Sequence, residues 1–482
     1  MMKRLSLAEI ETLVRERKTR AAADQIRKFL RTPAARSDFK SLIQACDWYR
    51  RLGLFREAFL LVSDVLAEPL PADKDFSTRL PRGRKILWAA RLLNLLGASS
   101  QALMLARKLV AHDAESNQVL GNIFQANFEY DSAYAHFQKM HDLDPTPESY
   151  RSSINRLSLA DSLAGLQRFD EAVAIARAIA ETRRTADDRL LQGISLEAWG
   201  EYLARSGRYE EAQPRLERAR ACFPADDRTP DRAILDKWQG FVSCKLGDSP
   251  RGHAQLNEAI TSLRSLALRP EAWLDVVRLQ SQLGALSPAQ HARLVHYPGL
   301  SPGFLRMLEF TPALFGNKTC YLQLDLDADE FSEGGQWFLG LNHELHLLAA
   351  LRIVEDWGMS LERAKAVIWP DEVYTYPLLE ARLHKLIGRL RTRFKVKVEV
   401  RDRLIFLGND ALAQVSVATG FTEKRPSFLQ LHSEFAAADL SLHYKISRSQ
   451  RAVRLLEWQA SGWIKSWGRG AQLRYQTTSS LL

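Results

Sequence analysis

The sequence has little cysteine and no long apolar run, and each shortage excludes a class of protein. Four cysteines lie far apart among 482 residues, without a C-x-x-C pair. We therefore expect neither a disulfide framework nor a zinc site. No apolar run approaches the roughly 20 residues that a membrane helix needs, and the basic N-terminal stretch lacks the apolar middle of a secretory signal. These absences predict a cytoplasmic protein with reduced thiols and no membrane contact.

Common cofactor and metal motifs are also missing. Gly334-Gly335 is not part of a phosphate-binding loop. His343-Glu-Leu-His346 places its histidines at i and i+3, whereas zinc ligation from one helix needs i and i+4. Asp325-Leu-Asp-Ala-Asp-Glu330 lacks calcium-loop spacing and is expected to form a solvated turn or an acidic cover over a basic helix. We predict no cofactor, no metal and no catalytic residues, because no nucleophile, base and orienting group converge in the sequence.

The composition is that of a globular protein with an anionic partner. A hydrophobic content of 46% and a charged content of 26% suit folded domains, and the length predicts two to four of them. The formal net charge is +10 and the sequence pI is about 9.4. Such a positive balance favours nucleic acid or another polyanion as a partner.

Residues 1–300 are expected to be helical, with no β-strand. A unit consisting of a turn residue, a polar or aromatic pair and a helix that opens with alanine recurs roughly every 40 residues. The alanines are Ala58, Ala102, Ala133, Ala172, Ala212 and Ala254. The copies at Gly207–Ala219 and Asp131–Asp144 resemble the second helix of a tetratricopeptide repeat (TPR). The resemblance implies an irregular α-solenoid whose concave face binds a protein or peptide.

Proline and glycine then break the pattern, and we place a linker at 301–319. In the predicted next domain, 320–410, Cys320–Leu326 alternates as a strand that Gln336–Leu339 could pair with. A helix over 378–394 follows. Its apolar stripe is Leu379, Leu383, Leu386, Ile387, Leu390 and Phe394, and its cationic stripe is Arg382, Lys385, Arg389 and Arg393.

A β-hairpin is predicted directly after this helix. Val396–Val400 and Leu404–Leu407 alternate as strands, with Arg401 and Arg403 near the turn. Residues 360–408 carry 11 basic and 6 acidic side chains, so their net charge is 11 − 6 = +5. A helix that packs by one stripe and presents a row of cations suits a polyphosphate surface.

Three segments resemble the effector domain of OmpR-type response regulators. They are Leu341-Asn-His-Glu-Leu345, Trp369-Pro370 and Leu386-Ile-Gly-Arg-Leu-Arg391. The resemblance implies a winged helix whose recognition helix enters the major groove and whose hairpin wing reaches the minor groove. No phospho-accepting receiver domain precedes it, so the family's usual switch is not implied.

A second helix-and-hairpin pattern occupies 427–478. Helices are expected at Phe428–Phe435, Ala437–Leu442 and Ser447–Ala460, the last with Ser447 as its N-cap. Ala452, Val453, Leu456 and Ala460 lie along one side of this third helix, and Ser447, Gln450, Arg451 and Arg454 lie nearly opposite. Trp458, on the polar side, is expected to pack on the neighbouring winged helix or on a partner.

This pattern resembles the winged helices of many bacterial regulators. The matching segments are Ser447-Arg-Ser449, Gly462-Trp-Ile464, Gly468-Arg-Gly470 and Arg474-Tyr475. The resemblance implies that Ser447, Arg448, Gln450, Arg451 and Arg454 meet the major groove. It also implies that Arg469, at the hairpin tip, meets the minor groove or a phosphate.

Together these observations predict a mainly α protein, a TPR-like α-solenoid followed by two α+β winged-helix domains. The predicted function is a transcriptional regulator that binds double-stranded DNA and receives a protein or peptide signal on its repeats. The alternative is a scaffold whose winged helices dock proteins. Homodimer formation stays open, since two winged helices in one chain could span two half-sites without it.

Overall fold

The computed structural model describes most of the chain. The described residues are 7–15, 18–32, 35, 38–52, 54–65, 75–143, 150–182, 189–223, 230–265, 270–308, 313–315, 320–333, 336–370, 378–401, 404–412, 414–419, 428–429, 433–444, 446–461, 463–467 and 473–478. They form two compact units. One contains mainly 1–287 with 300–308, and the other contains 288–299, 309–370 and 380–482. Among these residues, no helix is both long enough and apolar enough to cross a bilayer.

Up to residue 305 the described chain is almost entirely helical. The helices are α1 (Leu7–Arg15), α2 (Thr19–Leu30), α3 (Phe39–Arg51), α4 (Phe55–Val65), α5 (Pro81–Leu95), α6 (Ser99–Ala106), α7 (Ala114–Ala126), α8 (Tyr130–Leu143), α9 (Tyr150–Gly165), α10 (Phe169–Thr182), α11 (Arg189–Arg205), α12 (Tyr209–Cys222), α13 (Pro230–Lys245), α14 (Ser249–Ser265), α15 (Pro270–Gln282), α16 (Pro288–Val295) and α17 (Pro302–Leu305). From α1 to α15, consecutive helices pack against each other in pairs, as TPR-like repeats do.

The recurring alanines mark where paired helices approach closely. Five of the six predicted positions are fully buried, namely Ala58, Ala102, Ala133, Ala172 and Ala212. The prediction for Ala254 is wrong, because Ala254 is exposed. Gly252 takes its place, since a Cβ there would lie 2.6 Å from the Gly240 carbonyl oxygen and 2.3 Å from Cys244 Sγ.

The expectation that this region has no strand is also wrong, on a small scale. The two-residue strands β1 (Phe76–Ser77) and β2 (Leu109–Val110) pair in parallel. Each is too short to show alternation in the sequence, and the pair is held by tertiary packing beside α5.

The second unit combines short strands with helices. Its further elements are β3 (Ala313–Phe315), β4 (Leu322–Asp325), β5 (Glu330–Glu333), β6 (Gln336–Leu339), α18 (His343–Val354), β7 (Met359–Ser360), α19 (Leu361–Ile368), α20 (Leu378–Arg393), β8 (Val398–Arg401), β9 (Leu404–Leu407), α21 (Asn409–Leu412), β10 (Val415–Thr419), β11 (Glu434–Ala436), α22 (Ala437–Tyr444), α23 (Arg448–Ala460), β12 (Ile464–Trp467) and β13 (Arg474–Thr477). The predicted fold class, mainly α with a TPR-like region followed by α+β regions, is confirmed.

A five-stranded sheet opens the second unit, in the order β3-β10-β4-β5-β6. The predicted pairing of Gln336–Leu339 with the first strand is wrong, because β5 lies between β4 and β6 and pairs with both. Strand β10, beyond residue 410, runs parallel to β4 and antiparallel to β3.

Two three-stranded sheets accompany the basic helices. In the first, of order β7-β9-β8, the hairpin after α20 pairs Val398 with Leu407 and Arg401 with Leu404. In the second, of order β11-β13-β12, Phe435 pairs with Tyr475. The predicted helix over Phe428–Phe435 is therefore wrong at its C-terminal end, because Phe435 lies in strand β11. The rings of Phe435 and Tyr475 stack across the strand pair with their centroids 5.5 Å apart.

Candidate nucleic-acid interface

Helix α20 packs by one stripe and exposes the next. Its leucine and isoleucine stripe is buried as predicted, with Leu379, Leu383, Leu386, Ile387 and Leu390 each 0–2% exposed. Such a stripe fixes the rotation of the helix about its axis, because any other rotation would return five aliphatic side chains to water. Phe394, at the end, is half-buried.

The four predicted cations of α20 lie on its outer surface. Lys385, Arg389 and Arg393 are exposed, and Arg382 is half-buried. The Arg382 guanidinium lies 4.4 Å from the ring centroid of Trp369, and Arg389 Nε lies 2.8 Å from Glu344 Oε1. These two contacts orient cations that would otherwise sample many rotamers.

The hairpin after α20 carries further cations close to the helix. Arg391 donates to the Val398 carbonyl from Nε (3.1 Å) and Nη2 (2.6 Å), tying the hairpin to α20. Lys397 Nζ and Arg401 Nε lie 2.7 and 3.2 Å from the Glu399 carboxylate. The hydrogen bond from Lys397 lowers the pKa of Glu399. Predicted residue Arg403 lies outside the described residues.

Gly388, in the middle of α20, has open space where a Cβ would be. Glycine inside a helix costs roughly 0.5–1 kcal/mol relative to alanine. Packing within the described chain does not require it. The helix therefore presents a stretch of bare backbone between Lys385 and Arg389 on a cationic surface.

Helix α23 begins at the predicted N-cap. However, the side that faces the core is not the apolar side predicted from the sequence. Ser447 is the N-cap: its hydroxyl accepts from the Gln450 amide (3.3 Å), and the Gln450 side chain accepts from the Ser447 amide (2.9 Å). The side chains that α23 buries are Leu455 and Trp458. Trp458 packs in a core with Phe428 and Leu455, and Trp337 and Leu339 of the neighbouring 320–410 region pack against the same core. Direct packing of Trp458 on the neighbouring winged helix or on a partner stays a prediction.

The apolar side of α23 is exposed. Val453 is 53% and Leu456 66% exposed, and Ala452 and Ala460 are exposed as well. Leu455 and the large indole of Trp458 hold the helix against the core, and no rotation could bury both sides at once.

The predicted contact residues of α23 do not form one open row. Arg448 and Gln450 are exposed, whereas Arg451 donates to the Ser441 hydroxyl (3.1 Å). Arg454 Nη2 lies 2.9 Å from Asp329 Oδ2, and its Nη1 lies 3.0 Å from Glu457 Oε2. Arg469 lies outside the described residues.

The acidic run at 325–330 covers part of this basic helix. Asp329, with φ of 51°, accepts the Leu341 amide on Oδ1 (2.8 Å) while Oδ2 meets Arg454. Next to it, the buried Glu330 accepts the Tyr444 hydroxyl (2.6 Å). Together with the bond from Gln336 to the His443 carbonyl (2.6 Å), these contacts attach the second helix-and-hairpin region to the five-stranded sheet.

Sequence reasoning missed the residues that orient the cations. Glu344 and Trp369 each hold a cation of α20, Glu399 holds Lys397 of the hairpin, and Asp329 holds Arg454 of α23. Trp369 stands near the predicted turn and could have been paired with Arg382. The others come from separate elements, and no local spacing indicates their contacts. In the described part of the chain, no cluster of three or more His, Cys, Asp or Glu side chains could hold a metal ion.

Comparisons with known proteins yield only distant structural similarity. No protein-family model matches the chain, and no curated protein matches it. A tetratricopeptide repeat protein from Parabacteroides merdae is 18% identical, with a TM-score of 0.39 over 57% of this chain and 97% of that one. A Rap protein complexed with Competence and Sporulation Factor is 13% identical, with a TM-score of 0.39 over 80% and 98%. NprR with its cognate peptide NprX is 10% identical, with a TM-score of 0.36 over 58% and 72%. TM-scores below 0.5 do not decide what this chain binds.

Proposed function

We propose that this protein is a DNA-binding regulator whose principal DNA contact is the outer face of α20 with its hairpin. The observation that carries the proposal is the combination of a fully buried aliphatic stripe and an oriented row of cations on one 16-residue helix. Lys385, Arg389 and Arg393 spread along the exposed surface, as contacts to successive phosphates and base edges require.

One of the carboxylates near these cations fits exchange for phosphate. Lys397 is 69% exposed beside Glu399, and an exposed ion pair of this kind contributes about 0–1 kcal/mol, so a nucleic-acid phosphate can displace it at little cost. Arg389 is 54% exposed but its partner Glu344 is only 12% exposed, so Arg389 would keep this carboxylate at Nε and meet a phosphate with its other nitrogens. The second region would add contacts from Arg448, Gln450 and the hairpin after α23, and the proposal assigns the chain no catalytic role.

The helical repeat is proposed to receive a protein or peptide signal. The first helices of successive pairs share a buried polar row, in which Asp161 accepts from Tyr202 and from Gln125 Nε2 (2.9 Å), and Lys237 meets Asp275 (3.1 Å). Burial raises the pKa of Asp161 to about 6. These groups are paired with one another, as buried polar groups must be, and so they hold the first helices of successive pairs together. The signal is assigned to the concave face that stacked repeats of this kind form.

Electrophoretic mobility shifts on random genomic fragments, at two salt concentrations, test the DNA-binding proposal. The full chain should bind, with log K falling linearly as log salt rises, because neutralised phosphates release counterions. A triple variant with Lys385, Arg389 and Arg393 changed to Gln should bind DNA more weakly. Its plot of log K against log salt should be shallower by the contribution of about three phosphate contacts.

The matched control removes the same charge elsewhere. Lys28, Lys139 and Arg218 are exposed on the helical repeat, so changing them to Gln keeps the net charge equal to that of the test variant. If both variants lose the same amount of DNA affinity, overall charge and not the α20 face determines binding. Absence of binding, combined with partner capture that survives nuclease treatment, would instead favour the protein-docking scaffold.

A further inference from the structure

The outer face of the three-stranded sheet β11-β13-β12 carries an exposed tryptophan. Side chains alternate between the two faces of a strand, and residues that pair across antiparallel strands share a face. The inner face holds Phe435 and Tyr475, which pair with each other and are buried. Trp467 lies on the opposite face and is 53% exposed. Half of this indole is therefore in water, where its apolar surface gains nothing from burial.

Cations stand beside this indole in two directions. Arg474 pairs with Trp467 across the strands, and Lys465 precedes it by two residues on β12. Paired side chains lie about 5 Å apart at Cβ, and residues two apart on a strand are separated by about 6.7 Å. Both cations are exposed. The three side chains therefore form one surface, an aromatic ring bordered by positive charge.

The remaining described side chains of the outer face do not cancel this charge. Glu434 is the one acidic residue among them, and it lies on β11, two strands from Trp467 and diagonal to Arg474. Within the described chain, no carboxylate pairs with Lys465 or Arg474. The outer face thus carries 2 − 1 = +1, and both cations lie on the two strands nearer to the indole.

This combination favours nucleic acid over a protein partner. The core of a protein interface is depleted in charged residues, whereas here charge borders the indole directly. Single-stranded nucleic acid offers phosphates to cations and the faces of its bases to an aromatic ring. In a duplex those faces are covered by the neighbouring base pairs, so an unpaired base is the group on which an exposed indole can stack.

We propose that Trp467 stacks on an unpaired base of single-stranded DNA, while Lys465 and Arg474 contact the phosphates next to it. The inference goes beyond the duplex contact of α20, because it uses a separate sheet and a different form of DNA. It gives the hairpin after α23 a ligand of its own, DNA with unpaired bases.

Fluorescence anisotropy of the full-length protein with two labelled probes of equal length tests the stacking. One probe is a short oligothymidylate, and the other has the same sugar–phosphate backbone with abasic sites in place of the bases. Because the phosphates are equal in number, the ratio of the two affinities measures the contribution of the bases alone. The oligothymidylate should bind about 5- to 150-fold more tightly, as one base stacked on an aromatic side chain provides.

Substitutions at Trp467 assign this preference to the indole. Trp467→Ala should bring the affinity ratio close to one. Trp467→Phe keeps an aromatic ring and should retain much of the preference, and it keeps the test valid if alanine at this position unfolds the sheet. Tyr321→Ala is the matched control, because Tyr321 is an aromatic residue on another sheet and is 59% exposed. It should leave the ratio unchanged.

Substitutions of the two cations test the phosphate contacts separately. Lys465→Gln and Arg474→Gln should weaken the binding of both probes alike, and so the affinity ratio should stay at its wild-type value. Each variant should lower the slope of log K against log salt by about 0.7, the contribution of one phosphate on a single strand. Unchanged slopes in both variants would overturn the phosphate contacts.

The outcomes separate this inference from the proposed duplex binding. A wild-type ratio near one overturns the stacking, even if mobility shifts show duplex binding through α20. A ratio that survives in a folded Trp467→Ala protein assigns the preference to other residues and overturns it too. If duplex binding fails but the ratio falls in Trp467→Ala alone, the stacking stands without the proposed function. If Trp467→Ala only abolishes self-association in sedimentation velocity, this face is a contact between copies.

Discussion

Helices α20 and α23 follow one sequence plan but bury different amounts of their surface. Both alternate apolar and cationic residues, and both precede a β-hairpin. Helix α20 buries five aliphatic side chains and turns its cations outward. Helix α23 buries Leu455 and Trp458 and turns Val453 and Leu456 outward, while Arg454 meets a carboxylate.

The difference shows what determines the outward face of a basic helix. A row of arginines does not set the rotation, because guanidinium groups find solvent or a carboxylate at many angles. The apolar side chains that fit the local core do, since each Å² of apolar surface buried contributes roughly 25 cal/mol. In α23 these are Leu455 and Trp458, which pack with Phe428 while Val453 and Leu456 stay exposed.

The largest expected contrast comes from truncating one leucine in each helix. Leu386→Ala should lower the free energy of unfolding by about 2–5 kcal/mol, because Leu386 is fully buried. Leu456→Ala should change it by less than about 0.5 kcal/mol, because Leu456 is 66% exposed. Urea denaturation followed by circular dichroism measures both, and similar losses in the two variants would remove the distinction between the helices.

The elements that the sequence predicts correctly are those whose pattern of apolar and polar residues extends over several turns or a whole strand. The stripe from Leu379 to Leu390 and the hairpin at 398–407 were predicted from the chain alone, as were the cap at Ser447 and the helical repeat. Each depends on neighbours within a few turns, so local patterns suffice.

The remainder depends on contacts between distant segments. Strand β5 was missed because Glu330–Glu333 has no alternation, and its place between β4 and β6 is set by pairing on both sides. The orientation of α23 was missed because Trp458 looked out of place on a polar side. The domain ranges and the DNA-contact residues stay predictions, and the structure adds the partners that orient them.

The attachment of the α23 region can be broken at Tyr444. Its hydroxyl donates to Glu330 Oε2 (2.6 Å) and accepts from the Phe428 amide (3.2 Å), all within a buried site. Tyr444→Phe should therefore cost about 1–3 kcal/mol of stability, because both buried groups lose this partner. In Tyr321→Phe, the control, an exposed hydroxyl is removed and little change is expected. Should the two variants unfold at the same urea concentration, the buried bond does not stabilise the unit.

Opposite substitutions in the two helices, glycine to alanine in α20 and alanine to glycine in α23, compare their exposed backbones. Gly388→Ala should stabilise the fold by about 0.5–1 kcal/mol, because the new Cβ meets open space. It should also weaken DNA binding if bare backbone at Gly388 lies against the groove. Ala452→Gly in α23 should destabilise by a similar amount. A Gly388→Ala protein that is more stable and binds DNA as tightly as the wild type would contradict a close approach at this point.

The smallest effect on stability is expected at Asp329, where the two helices differ most in electrostatics. Its pair with Arg454 is partly exposed, at 26% for the arginine and 47% for the aspartate, and so Asp329→Asn should cost only about 0.2–1 kcal/mol. Asparagine tolerates the positive φ at this position and can still accept the Leu341 amide. Arg454, then paired with Glu457 alone, has Nη2 available for a phosphate, which would steepen the salt slope by about 0.9 and tighten binding at low salt. In the double variant Asp329→Asn and Arg454→Gln that gain should vanish. An unchanged slope in the single variant would mean that Arg454 does not reach a DNA phosphate, leaving α20 as the cationic contact.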